Sequence, residues 1–139
     1  MSRMPYRLER PVLDTAPLLP LCEAVGLPPP AKPHVTIAWS KTPIDWDDPV
    51  ALALSDSIEV ELLRPRMLVF GSSSPLWVLA FDSALFSARH QALVGVGATW
   101  AHAAYQPHVT LGPKLGLIPD VRLSLPTRLR FGPERRKLP

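Results

Sequence analysis

Two near-identical pentapeptides, Pro33-His34-Val35-Thr36-Ile37 and Pro107-His108-Val109-Thr110-Leu111, supply two imidazoles and two hydroxyls in one repeated pattern. An imidazole titrates near neutrality, so one histidine can accept a proton while the other donates one. That division of labour suits attack on a phosphodiester, where a hydroxyl is deprotonated on one side of phosphorus and a departing alkoxide is protonated on the other. The two threonine hydroxyls would donate hydrogen bonds to the non-bridging oxygens, where negative charge sits in the transition state. Such a scheme requires neither a metal nor a cofactor.

Each motif alternates as a strand does, and side chains at i and i+2 of a strand share a face. His34 therefore stands beside Thr36 and His108 beside Thr110, while Val35, Ile37, Val109 and Leu111 turn to the opposite, core-forming side. The leading prolines, Pro33 and Pro107, fit the first residue of a strand, where no ladder donor is yet needed. A lone His-x-Thr is ordinarily a satisfied, half-buried polar pair, because so short a motif is weak by itself. Two copies that share their Pro and Val point instead to a duplicated half-domain.

The surrounding pattern extends the duplication. A helix is expected before each motif, over 15–25 and 83–96, each closed by a glycine suited to a C-cap, Gly26 and Gly97. After each motif comes a strand-like run that ends on Phe-Gly, at Phe70-Gly71 and Phe131-Gly132. Strands are expected at 3–9, 34–40, 57–63, 66–70, 76–82 and 108–112, with two more between 121 and 131. The result is an α+β domain over residues 1–139: two pseudo-symmetric antiparallel sheets facing a central groove, with helices on the outer faces. A groove floored by both motifs is the natural ligand site.

At 139 residues, 47% hydrophobic and 19% charged, the chain has the length of one domain with one core. Apolar runs are interrupted well short of a membrane span and no signal peptide is evident, so a cytosolic protein is expected. The lone cysteine, Cys22, excludes an internal disulfide framework and fits the apolar face of the first helix. The 18 prolines, concentrated at Pro28-Pro29-Pro30 and between elements, suit stiff loops around a preorganised site, since apolar periodicity resumes after each cluster. Docking of a protein partner onto these prolines is the competing use. A net charge of +3 favours an anionic partner. Arg128 and Arg130 would either line the cleft or form a solvated face.

Aromatic residues are the candidate base readers. Trp46, in the acidic loop 42–49, could stack on a nucleobase or staple that loop. Trp39 is expected in the core on the face of Ile37, and Trp77 is expected there too. Trp100 and Tyr105 flank the entrance to the second motif. His90 and His102 have no threonine partner and are expected to be structural.

A small fold with two His-x-Thr-hydrophobic motifs resembles the 2H phosphoesterase superfamily. More narrowly, the stretch from Lys32 to Trp46, Arg89-His90, Tyr105-Gln106-Pro107-His108 and Phe131-Gly132-Pro133-Glu134 resemble the phage anti-CBASS nucleases. The resemblance implies hydrolysis of 3′-5′ bonds in cyclic di- and trinucleotide alarm signals. It implies a catalytic set of His34, Thr36, His108 and Thr110, with Tyr6 stacking on a base and Glu134 as the acidic residue after the last strand. With Trp46, these form the expected substrate-binding set. The chain departs from the family by running on as Arg135-Arg136-Lys137-Leu138-Pro139 in place of an aromatic residue. The expected partner is a small cyclic oligonucleotide, with neither membrane nor duplex DNA involved. RNA ends bearing 2′,3′-cyclic or 2′-5′ linkages are the alternative substrate, and a non-catalytic nucleotide-binding module is the alternative of another class.

Overall fold

A computed structural model describes residues 3–45, 47–100, 104–117 and 119–137, with the side chains of 3–6 and 43 left aside. Among the described residues, eight strands and two α-helices follow in chain order. The first half contains β1 (Arg3–Pro11), α1 (Leu19–Ala24), β2 (His34–Asp45), β3 (Ile58–Glu61) and β4 (Leu63–Phe70). The second contains β5 (Leu76–Asp82), α2 (Ala84–Gly95), β6 (His108–Pro113), β7 (Arg128–Phe131) and β8 (Arg135–Lys137).

The two halves thus have one order, strand, helix, then three strands. Their pairing is symmetric as well. Six strands form an antiparallel sheet in the order β4-β5-β6-β2-β1-β8, and β3 pairs with β7 in a second sheet. Exchanging each strand for its counterpart in the other half reverses the six-strand order and leaves it otherwise unchanged. The last strand of each half crosses over to pair with the first strand of the other. The motif strands, expected on two facing sheets, are instead neighbours at the centre of one sheet.

The helices carry the repeat in their ends. Both close in a Schellman arrangement with glycine in the left-handed region, Gly26 at φ 73° and Gly97 at φ 107°. Leu27 N donates to Cys22 O at 2.9 Å, and Ala98 N donates to Leu93 O at 3.1 Å, the same six-residue closure twice. The first helix is shorter than the sequence suggests. Its expected span divides into a 3-10 turn at Ala16–Leu18 and then α1, with Pro17 and Pro20 each in a first turn, where a missing N–H is tolerated.

Two strand expectations change. Between 121 and 131 there is one strand, β7; Arg122–Ser124 is a 3-10 turn. Asp120 accepts from the Arg122 backbone and grips its guanidinium, a local turn that outcompetes the alternating apolar pattern. The further strand lies later, at β8. The two Phe-Gly pairs are also not equivalent, since Phe70 ends β4 and Phe131 ends β7, the fourth and third strands of their halves.

Val35, Ile37, Val109 and Leu111 are buried, and Leu21, Cys22, Phe86 and Leu93 of the helices join them in one core. Trp77 and Cys22 are in the core as expected. Burial pushes the Cys22 thiol up from its ordinary value, which keeps it protonated and unreactive. Phe81, Phe86 and Phe131 meet at ring separations of 5.1 to 6.5 Å, fixing the small sheet to α2 and the large sheet. Phe131→Ala should cost about 3–5 kcal/mol, a large share of a typical domain's stability. Urea unfolding checks this by a lower midpoint at unchanged slope.

Candidate functional site

Strands β2 and β6 meet with Val35 opposite Val109. Antiparallel register then sets His34 opposite Thr110 and Thr36 opposite His108, all four on the face away from the helices. Directly opposed residues stand about 4.5–5.5 Å apart at Cβ, and diagonal ones about 7–8 Å apart. The four side chains therefore form a compact rectangle, with histidines on one diagonal and threonines on the other. One phosphate group spans such a rectangle.

The two histidines are held alike. The Nδ1 of His34 donates to the Lys32 carbonyl at 3.1 Å, and the Nδ1 of His108 donates to the Gln106 carbonyl at 2.9 Å. A carbonyl can only accept, so each ring carries its proton on Nδ1 when neutral and leaves Nε2 as the acceptor. In both cases the accepting carbonyl lies two residues upstream, across the motif proline. The Gln106 side chain is itself fixed, donating to the Phe81 carbonyl at 2.7 Å and accepting from Arg66 at 2.6 Å.

The rectangle opens into a cavity of about 610 Å³, lined by Thr36 and His108 together with Trp39, Phe70, Trp100 and Gln106. That size falls within the range of small-molecule sites. His34 and Thr110 stand beside it on the same sheet face, outside its lining. The edge of Phe70 packs on the His108 ring at 4.7 Å.

Trp39 overturns its expected place in the core, being 51% exposed in the cavity wall. The cause is a register shift. Glu9 pairs with Thr36 but Leu8 with Ala38, leaving Ile37 as an extra, bulged residue that reverses the inward and outward alternation beyond it. The same shift recurs in β6, where Val78 pairs with Thr110 but Trp77 with Gly112, leaving Leu111 as the extra residue.

Carbonyls at the first bulge find side-chain donors. His90 Nδ1 donates to Ile37 O at 2.8 Å, and the Tyr105 hydroxyl donates to Thr36 O at 2.9 Å. These two rings stack at 4.2 Å, and Trp100 lies edge-on to both. Burial raises the Tyr105 hydroxyl well above the usual phenol range, so it remains a donor at any working pH. His90 is thus structural, as expected, and Trp100 borders the cavity. His102 lies outside the described residues.

The expected substrate-binding residues fare differently. Tyr6 belongs to β1, its backbone opposite Ser40, with nothing described of its side chain. Trp46 lies outside the described residues. Glu134 is not brought to the cavity. Its carboxylate is buried in a two-pronged pair with Arg89, at 3.0 and 2.9 Å, and accepts from the Leu54 backbone. Arg89 also donates to the carbonyls of Val50 and Leu52, so the pair clamps the segment after the acidic loop. Arg128 and Arg130 face solvent on β7, with Arg128 paired to Glu59 at 3.3 Å.

Sequence reasoning also passed over Glu9. This carboxylate is fully buried, with Oε2 3.3 Å from His34 Nδ1 and Arg7, Arg135 and Lys137 around it. Its setting, Arg7-Leu8-Glu9-Arg10, reads as a solvated edge strand. The signal was its position on the first strand, which the duplication places beside the first motif.

Residues 23–135, which include both motifs, match the family model described as anti-CBASS protein Acb1. The chain belongs to that family. The anti-CBASS protein Acb1 of Sphingomonas paeninsulae is 33% identical over 141 residues, covering 94% of this chain and 22% of the relative. That of a Caulobacter species is 35% identical over 112 residues, covering 73% of this chain and 17% of the relative. That of Yersinia phage phiR1-RT is 34% identical over 101 residues, covering 73% of this chain and 63% of the relative. The chain therefore spans about a fifth of the two bacterial relatives and somewhat under two thirds of the phage one. Among the described residues of this Acb1-family chain, no helix is long and apolar enough to cross a membrane.

The Arg89 and Glu134 pair gives a direct test of the placement of Glu134. Removing one partner strands a buried charge, so Arg89→Ala should cost about 3–5 kcal/mol. Thermal unfolding measures it, and an unchanged midpoint would return Glu134 to the pool of solvent-facing, ligand-reading residues.

Proposed function

We propose that this chain is a metal-independent phosphodiesterase that cleaves 3′-5′ bonds of cyclic di- and trinucleotide signals, thereby countering CBASS defence. The observation that carries the reading is the rectangle of His34, Thr110, Thr36 and His108, with the Nδ1 of each ring held by the carbonyl two residues upstream. Membership of the Acb1 family supports the biological setting. The two-fold topology, with one His-x-Thr strand per half, supports placement in the 2H phosphoesterase superfamily.

In this mechanism one histidine takes the proton of a ribose 2′-OH as that oxygen bonds to phosphorus. The bond from phosphorus to O5′ breaks, and the second histidine gives its proton to the leaving oxygen. Attack and departure lie in line, on opposite sides of phosphorus, which the diagonal placement of the histidines accommodates. Thr36 and Thr110 hold the non-bridging oxygens from the other two corners. The 2′,3′-cyclic phosphate end is then opened by water with the two proton-transfer roles exchanged. Trp39, Phe70 and Trp100 give the cavity aromatic surfaces for a base beside the scissile group.

His34→Ala and His108→Ala should each lower kcat on a cyclic dinucleotide by about a hundredfold to ten-thousandfold, with folding intact by circular dichroism. Turnover in the parent chain should survive EDTA. Near-native rates in either variant would sink the mechanism. Activity confined to linear RNA ends would move the substrate to the alternative class.

A further inference from the structure

The face that carries the motifs has two unlike flanks, although the topology around it is symmetric. On the β1 and β8 side the cross-strand rows are Thr36, Glu9, Arg135 and then Trp39, Arg7, Lys137. On the β5 and β4 side the matching rows are Thr110, Val78, Leu68 and then Pro113, Leu76, Phe70. Cross-strand partners share a face, so over these two rows the rectangle sits between a charged flank and an apolar one; the next row on the second flank, Ala80 and Arg66 beside His108, carries a cation already paired with Asp82 and bonded to Gln106.

The charged flank is organised about Glu9. Its carboxylate meets Arg7 at 3.4 Å, Arg135 at 3.6 Å and Lys137 at 3.6 Å, and it also reaches His34. Three cations share one anion, which leaves two positive charges uncompensated within the group. The carboxylate is 1% exposed while the cations are 31 to 43% exposed, so the anion is the hidden anchor and the cations form the outer surface. This is a preorganised receptor for a further negative charge, and guanidinium and ammonium groups both suit phosphate oxygens.

Resting on the phosphodiesterase reading, we infer that Arg7, Arg135 and Lys137 form a second phosphate subsite, which takes a non-reacting phosphodiester while the reacting one lies between the histidines. β8 lies two strand spacings from β2, about 10 Å away, and the long side chains span that gap back toward Glu9. The subsite makes the chain selective for ligands with at least two backbone phosphates and orients them, with one phosphate toward β8 and a base toward Phe70 and Trp100.

Steady-state kinetics on two probes tests this, cyclic di-AMP with two phosphates and adenosine 2′,3′-cyclic phosphate with one. Arg135→Gln and Lys137→Gln, separately and together, should raise KM for cyclic di-AMP by about tenfold or more in the double variant, with kcat little changed. Activity on the single-phosphate probe should be unaltered, and Arg135→Lys should retain most of the parent behaviour. An unchanged KM for cyclic di-AMP, or equal losses on both probes, overturns the subsite. Equilibrium binding of both probes to a His108→Ala chain, with and without the Gln substitutions, reads the same selectivity without turnover. A parent chain that turns over neither probe contradicts the phosphodiesterase reading alone, and the binding ratio still decides the subsite.

Discussion

Antiparallel pairing of β2 with β6 at Val35 and Val109 is the contact on which everything else depends, because one register decides both faces of the sheet there. On one face it buries two valines against α2 and the rest of the core. On the other it sets two histidines and two threonines at the corners of one rectangle. A slip of one residue would exchange the faces, burying imidazoles and exposing valines. The hydrophobic core therefore enforces the geometry of the site, and no contact among the four polar residues is required to do so.

The repeat then accounts for the environment of that seam. Each half ends its helix with the same glycine-closed turn, enters its motif through a proline, and bulges one residue past its threonine. The proline matters twice, since it opens the strand and precedes the ring that reaches back across it to a carbonyl. The halves diverge where the chemistry is finished. Glu9 faces the first threonine and Val78 the second, so beside the threonines one flank of the seam is ionic and the other apolar. Duplication supplied a symmetric pair of proton carriers, and divergence of the flanks gave an asymmetric ligand a direction in which to lie.

Much of this was legible in the sequence because it is local. The motif strands, the glycine caps, the single buried cysteine and the structural role of His90 follow from spacing and residue type alone. What escaped depends on long-range register. Trp39 seemed to share a face with Ile37, but a bulge visible only in the pairing of β1 with β2 turns it outward. Glu134 looked like a free acid after the last strand, yet α2 brings Arg89 against it. The Phe-Gly pairs suggested equivalent strands that the topology assigns to different positions in the repeat. The pairing of β2 with β6, which puts both motif strands in one six-stranded sheet, and the crossing of β4 and β8 between halves leave no trace in local pattern.

The central claim is that two histidines transfer protons in opposite directions across one phosphate attacked by its neighbouring 2′-OH. Chromatographic and mass analysis of the first product from a cyclic dinucleotide tests it most directly. The expected product is a linear isomer of unchanged mass, with a 2′,3′-cyclic phosphate at one end and a free 5′-hydroxyl at the other. A first product heavier by one water and ending in a 5′-phosphate would contradict it.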